Sequence, residues 1–286
     1  MYKFICMSTK KTRIICLNIS ILFLVLFYQK STAQENIIYK KTDTTTLTMD
    51  IYYPEPLIKG KKYPVMVFFF GGGWVTGSRV AFKHHAKYFS KRGVIGVLAD
   101  YRTRSRYKTS PFESLKDAKS AIRFLRSNAE KFHIDPDKII ASGGSAGGHL
   151  AAATATIDKY NDPGDDLNIS PKANALVLFN PVIDNGPGGY GFERIGDQYH
   201  DFSPLHNLHK GAPPTIIFLG TKDHLIPVET AQYYKKVMEK VGSRCDLYLY
   251  EGQPHGFFNY KYRKYYNKTI ARTEQFLVSL GLIKKQ

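Results

Sequence analysis

The chain has 286 residues, 43% of them apolar and 14% aromatic, which excludes an intrinsically disordered polymer. A formal charge of +17 at pH 7 points to an anionic partner or to a solvated basic face. Three cysteines are too few for a disulfide-stapled framework, so stability must come from packing.

The first 33 residues read as a signal peptide. Lys3, Lys10, Lys11 and Arg13 form a basic start, residues 14–27 are an apolar run, and Ser31-Thr32-Ala33 supplies the small residues of a cleavage site. The run is too short for a comfortable membrane span of about 20 residues. Cleavage after Ala33 would remove Cys6 and Cys16, leave Cys245 alone in a 253-residue chain, and take the formal charge from +17 to +12 through loss of Lys3, Lys10, Lys11, Arg13 and Lys30. The mature chain, 34–286, is expected to be one secreted or periplasmic domain without a stable membrane span. For such a protein, anionic polysaccharide or an anionic envelope surface is a more sensible partner than nucleic acid.

Along the mature chain, strands alternate with helices. "LTMDIYYP" alternates like a half-buried strand, and "YPVMVFFF" (63–70) is continuous like a strand covered on both faces. A helix is expected at 80–92, a strand at "GVIGVLADYR", and a long amphipathic helix from Pro111 to Phe132. "DKIIASG" reads as a short strand, "SAGGHLAAATATI" as a helix, and "ANALVLFNPVI" as a strand. "PPTIIFLG" follows as a strand, then a helix over 228–241, the strand "CDLYLYEG", and a last helix over 266–281. The pattern predicts an α/β fold, an open, mainly parallel sheet with helices on both faces and ligands beyond the carboxyl ends of the strands. Residues 184–212 break the alternation; rich in Gly, Pro and Asn, they read as a short cap.

Gly143-Gly144-Ser145-Ala146-Gly147 is a G-x-S-x-G placed where a strand ends and a helix begins. The spacing lets a serine sit on a sharp turn with its Oγ exposed while strand and helix pass close together. A serine nucleophile needs a base, and the base needs an orienting carboxylate, in the chain order Ser, acid, His. Asp223 and His255 each follow a strand in that order; Asp184, after "FNPVI", is the competing acid. His149, on the helix after Ser145, reads as a packing or solvent-facing residue. Charge developing on the substrate carbonyl oxygen needs preformed N–H donors. Ala146 would supply one, and the loop "GGGW" after "VFFF" another, since glycine can turn its amide inward. Trp74 and Gly144 are placed beside the substrate, Trp74 also serving as an anchor for its loop. The Tyr- and Lys-rich "NYKYRKYYNK" (259–268) is either a sugar-stacking surface or the exposed start of the last helix.

"GGGW", "GGSAGG", "GTKD" and "PHGF", in that order, resemble the α/β-hydrolase superfamily. More narrowly they are similar to hormone-sensitive-lipase-like esterases and to secreted carbohydrate esterases that deacetylate xylan or release ferulate. "LADYR", "AIRFLRSNAEKFHIDP" and "FSPLHN" extend the likeness over essentially the whole mature chain. The resemblance implies catalytic Ser145, Asp223 and His255, oxyanion donors Gly72, Gly73 and Ala146, and an acylated carbohydrate or small ester as substrate; the alternatives are a serine peptidase or amidase of the same fold, or a non-catalytic glycan-binding homologue. Such a mechanism needs neither metal nor organic cofactor, since amides and imidazole handle the charge. The family's oxyanion motif is H-G-G-G-[FW]; Phe70 replaces its His here, which leaves open what supports the loop.

Overall fold

In the computed structural model, residues 36–285 are described; the expected leader lies outside them. Eight strands form one sheet: β1 (Asn36–Lys41), β2 (Thr46–Tyr52), β3 (Tyr63–Phe69), β4 (Ile95–Ala99), β5 (Ile134–Gly144), β6 (Ala175–Phe179), β7 (Thr215–Gly220) and β8 (Cys245–Tyr250). Their order is β1-β2-β4-β3-β5-β6-β7-β8. β1 pairs antiparallel with β2, and β2 antiparallel with β4; every later pair is parallel. β1 carries only two isoleucines and a tyrosine among polar residues, so its pattern did not stand out from a polar lead-in.

Side-chain alternation divides the core into two layers. Val65, Val67 and Phe69 of β3 face helices α2 (Pro111–Ser127), α3 (Ala146–Thr156) and α4 (Val228–Lys240). Met66 and Phe68 face α1 (Lys83–Lys91) and α5 (Arg263–Ser279) on the other side. Because both faces are covered, β3, β4, β6, β7 and the second half of β5 are buried almost throughout.

The long helix expected to reach Phe132 stops at Ser127. Asn128 folds its Nδ2 back onto the Phe124 carbonyl at 2.9 Å, and His133 takes a left-handed φ of 57°. β5 then starts at Ile134, earlier than "DKIIASG" suggests, because Ile134 pairs with Tyr63. The start of α2 follows its local sequence. Pro111 stands in the first turn, and Ser110 and Glu113 form a reciprocal capping box, with the Ser110 N–H donating to Glu113 Oε2 at 3.0 Å. No helix among the described residues is long and apolar enough to cross a membrane.

After β3 the chain crosses to β4 on one side, then returns to β5 on the other. The carboxyl ends of β3 and β5 therefore flank the point where strand order reverses, the usual mouth of an open α/β sheet. The β6–β7 connection lies on the same edge and carries the helical turns Phe192–Ile195, Tyr199–Phe202 and Pro204–Asn207.

Candidate active site

Ser145 stands between the last residue of β5 and the first of α3, with φ 56° and ψ −123°, a conformation that few non-glycine residues adopt. Its surroundings enforce the turn. The Ser145 N–H donates to the Phe179 carbonyl at 3.0 Å, and its own carbonyl accepts from Val182 and His149. The turn requires α3 to graze β3: a Cβ added at Gly147 would lie 2.1 Å from the Phe69 carbonyl oxygen. That close passage is the physical meaning of the G-x-S-x-G spacing.

His255 lies in the loop after β8. Its Nδ1 donates to Asp223 Oδ2 at 2.7 Å, and the Asp223 side chain is fully buried in the loop after β7. Asp223 Oδ1 accepts from the Leu225 and Ile226 N–H groups at 2.9 and 3.0 Å, so the carboxylate is satisfied on both oxygens. The opposite ring nitrogen, Nε2, faces Asn180 Nδ2 at 3.2 Å. Asn180 Oδ1 accepts from the Gly256 N–H at 2.9 Å, which fixes the amide so that its nitrogen points at the imidazole. Nε2 is therefore the acceptor and Nδ1 carries the proton, the tautomer a general base needs. Ser145 Oγ makes no hydrogen bond among the described residues. Asn180, 1% exposed and held at φ 34°, is a positioning residue that sequence reasoning passed over. "FNPVI" was read only as a strand end, although an asparagine before proline just past a buried strand is a hint of a shaped turn.

The third component is the loop after β3. The β3–β5 register sets Phe69 opposite Gly143, which carries Gly71 to Ser145: a Cβ added at Gly71 would lie 3.3 Å from Ser145 Cβ. Gly72 has φ 126°, and a Cβ there would lie 2.1 Å from the Thr76 carbonyl oxygen. Among the described residues, no hydrogen bond engages the Gly72 or Gly73 N–H. The Ala146 N–H opens α3 and has no intrahelical partner.

Phe70 does not leave this loop unsupported. Its ring stacks on Tyr101 at 4.1 Å, and Tyr101 Oη donates to the Phe70 carbonyl at 2.7 Å. The Arg104 and Ser105 N–H groups donate to the Trp74 and Val75 carbonyls at 3.0 and 2.9 Å. From the cap, Arg194 Nη1 donates to the Gly73 carbonyl at 2.7 Å. Tyr101 stands in "LADYR", but the linear pattern assigned no role to it or to Arg194, because each acts across a tertiary junction.

Two expected substrate contacts are corrected. Trp74 is 1% exposed, with its ring edge-on to His149 at 5.2 Å and beside Phe202 at 6.1 Å, so it anchors the loop to the cap and offers a substrate almost no surface. Gly144 is buried beneath the nucleophile, where an added Cβ would lie 2.6 Å from Phe258 Cζ. His149 is a packing residue: fully buried, it stacks on Phe202 at 4.3 Å and donates from Nε2 to the Phe202 carbonyl at 2.9 Å. Burial pushes its pKa down to about 3, so it is neutral. Asp184 belongs to the cap, its Oδ1 accepting from the Gly186 N–H at 2.8 Å. In 259–268, Tyr260 is covered on its faces by His84 at 3.3 Å and the Arg263 guanidinium at 3.5 Å, which leaves it no open platform for a sugar.

Known esterases share this fold. Residues 49–187 match the BD-FAE family and residues 176–279 the dienelactone hydrolase family. Esterase 2 of Thermogutta terrifontis, solved phosphorylated by paraoxon, is 40% identical, with a TM-score of 0.85 over 91% of this chain and 99% of that one. Its propionate-bound form is also 40% identical, with a TM-score of 0.84 over 90% and 98%. A probable isoprenylcysteine alpha-carbonyl methylesterase of Arabidopsis thaliana is 26% identical over 72% of this chain and 48% of its own length. An acetylxylan esterase of Xylanibacter ruminicola is 27% identical over 73% and 44%. The chain thus spans about half the length of the curated relatives it matches. With a strained serine at the switch point, a carboxylate-bound histidine and a glycine loop beside them, the chain belongs to the α/β-hydrolase superfamily, among its serine carboxylic-ester hydrolases.

Proposed function

We propose that this protein is an exported esterase that removes short acyl groups, acetyl or aromatic acyl, from carbohydrate, with Ser145, His255 and Asp223 as its triad. The observation that carries the catalytic part is the His255–Asp223 bond, which puts the proton on Nδ1 and leaves Nε2 the basic nitrogen, on the same sheet edge as the strained Ser145. In the acylation step Ser145 Oγ attacks the ester carbonyl carbon while Nε2 accepts the hydroxyl proton. Nε2 must exchange its contact with Asn180 for one with Ser145, a tightening common on substrate binding. Asp223 stabilises the imidazolium through Nδ1–H without taking its proton. The carbonyl oxygen, now anionic, is met by the Gly72, Gly73 and Ala146 N–H groups. His255 then protonates the departing alcohol, and water repeats the sequence on the acyl-enzyme.

Three observations support the substrate class. The leader-like first 33 residues suggest export. An acetylxylan esterase stands among the relatives, and a propionate-bound neighbour is consistent with a short acyl group. The cap consists of short helical turns and forms no long acyl-binding helix pair.

The test is hydrolysis of p-nitrophenyl acetate by wild type and Ser145→Ala, with a fluorophosphonate label as a second readout. Loss of a triad nucleophile costs on the order of 10⁶ in turnover; a variant that keeps its activity refutes the triad. Side-by-side release from acetylated xylan, feruloylated sugar and a dipeptide amide tests the bond and the alcohol. Cleavage of the amide in preference to both glycan esters would reassign the protein to peptidase or amidase chemistry.

A further inference from the structure

A cleft of about 310 Å³ opens behind the glycine loop, lined by Gly73, Trp74 and Val75, by Arg104 and Lys108–Pro111, and by Glu193 and Arg194 of the cap. Its size is at the lower end for small-molecule sites. Its charge is one-sided. Arg104, Lys108 and Arg194 face one carboxylate, Glu193, and that carboxylate is already paired with Arg194 at 3.0 Å.

The neighbouring cations show that this is not simply a basic stretch of chain. Arg102 is neutralised by Asp117 at 2.7 Å and Arg106 by Asp100 at 2.9 Å. Arg104 and Lys108, which alternate with them and line the cleft, are exposed and have no acidic partner among the described residues. Lys108 closes the helical turn Arg104–Tyr107 with φ 56°, a position that glycine usually fills. Thr109 Oγ1, on the same wall, is buried without a hydrogen-bond partner among the described residues. The positive end of α2 begins beside it at Pro111, and the nearest acid there, Glu113, is engaged by Ser110.

We propose that this cleft is a substrate subsite for a carboxylate-bearing sugar, a uronate, next to the acylated residue. The proposal rests on the glycan-esterase reading above. Arg104 and Lys108 bind the carboxylate, while Val75 and Pro111 supply an apolar surface for the ring. The location fits a subsite of the reaction. Gly73 belongs both to the cleft wall and to the glycine loop that passes Ser145 at Gly71, so the cleft lies one residue along that loop from the proposed oxyanion donors and within reach of the unit next to the acylated sugar.

The experiment measures inhibition of p-nitrophenyl acetate hydrolysis by a uronate-bearing xylo-oligosaccharide and by the same oligosaccharide after reduction of its carboxyl to the alcohol. For wild type at low salt, the charged form is expected to have a Ki lower by about tenfold or more, since one ionic hydrogen bond alone is worth roughly that factor. Arg104→Gln with Lys108→Gln should abolish the difference, and Lys108→Glu should reverse it. The pair Lys268→Gln and Arg272→Gln, on α5, should keep it. Equal inhibition by the two sugars in wild type, or a preference that survives the double Arg104/Lys108 change, overturns the subsite. Acetate release from acetylated glycan, measured in parallel, separates the two ideas. No release together with a retained charge preference refutes the glycan-esterase reading and leaves the subsite standing.

Discussion

The bond from Arg194 to the Gly73 carbonyl predicts that the cap controls catalysis through the oxyanion loop. Arg194→Ala removes a charge-assisted hydrogen bond of 2.7 Å from the residue whose own N–H is proposed to meet the developing oxyanion. Such bonds are worth about 1.5–3 kcal/mol. The Arg194 side chain is 27% exposed and shares its guanidinium with Glu193, which favours the lower half of that range. At 1.36 kcal/mol per decade, kcat should fall by about 13- to 45-fold. KM should change little, because the donors act more strongly on the transition state than on the bound ester. Arg194→Lys keeps the charge without the planar fork and should fall between. The assay is steady-state hydrolysis of p-nitrophenyl acetate, with the rate of inactivation by paraoxon as a second probe of the same donors. A kcat within twofold of wild type for Arg194→Ala, in a protein with native thermal stability, would refute the coupling of cap to loop.

Four further outcomes are expected. Gly72→Ala must adopt φ 126° and set a methyl group 2.1 Å from the Thr76 carbonyl oxygen, so the loop must move; kcat should drop by about 10²-fold or more while Ser145 still reacts with a fluorophosphonate, and a rate within threefold of wild type would contradict the donor assignment. Asn180→Ala frees His255 Nε2 and the Gly256 N–H and should lower kcat about tenfold; a purely structural role would lower the melting temperature and leave kcat alone. His85 is buried among Phe68, Phe82, Phe179 and Tyr266 with both ring nitrogens unpartnered, so His85→Phe should be neutral or stabilising by about 1–2 kcal/mol in urea unfolding, and a loss of that size would be inconsistent with the unpaired ring. Burial pushes the pKa of both His85 and His149 down to about 3. Below the unfolded value of about 6.5 the unfolded chain binds protons that the native one refuses, so this stability is fully present above that pH and is lost as pH falls towards 3. The slope should approach about 1.4 kcal/mol per pH unit for each histidine, and His85→Phe should remove one share of it between pH 6.5 and 5; an unchanged slope would show that His85 protonates in the folded protein.

Much of the architecture was legible because it depends on local pattern. Continuous apolar strands such as "YPVMVFFF", alternating with amphipathic helices, require a parallel sheet covered on both faces, whatever the detailed packing. The nucleophile turn was legible for a similar reason. Only small residues let α3 pass the Phe69 carbonyl, so the G-x-S-x-G spacing is written into the linear chain. Asp223 and His255 were placed by chain order and by their positions just past strands, and the structure brings them to 2.7 Å of one another.

What linear pattern did not reach depends on residues far apart in the chain. β1 needed its antiparallel partner β2 to be recognised as a strand. Trp74 looked available to substrate beside the glycines, but packing of the cap through Phe202 and His149 buries it. The question of what supports a loop with Phe70 in the histidine position was answered by Tyr101, 31 residues away, and Arg194, 121 residues from the Gly73 it holds. Hydrogen bonds of that separation leave no periodicity to read. The order of chemical groups can be written along one dimension, but the orientation of an imidazole by Asn180 or of a peptide plane by Arg194 exists only once the sheet edge and the cap have met.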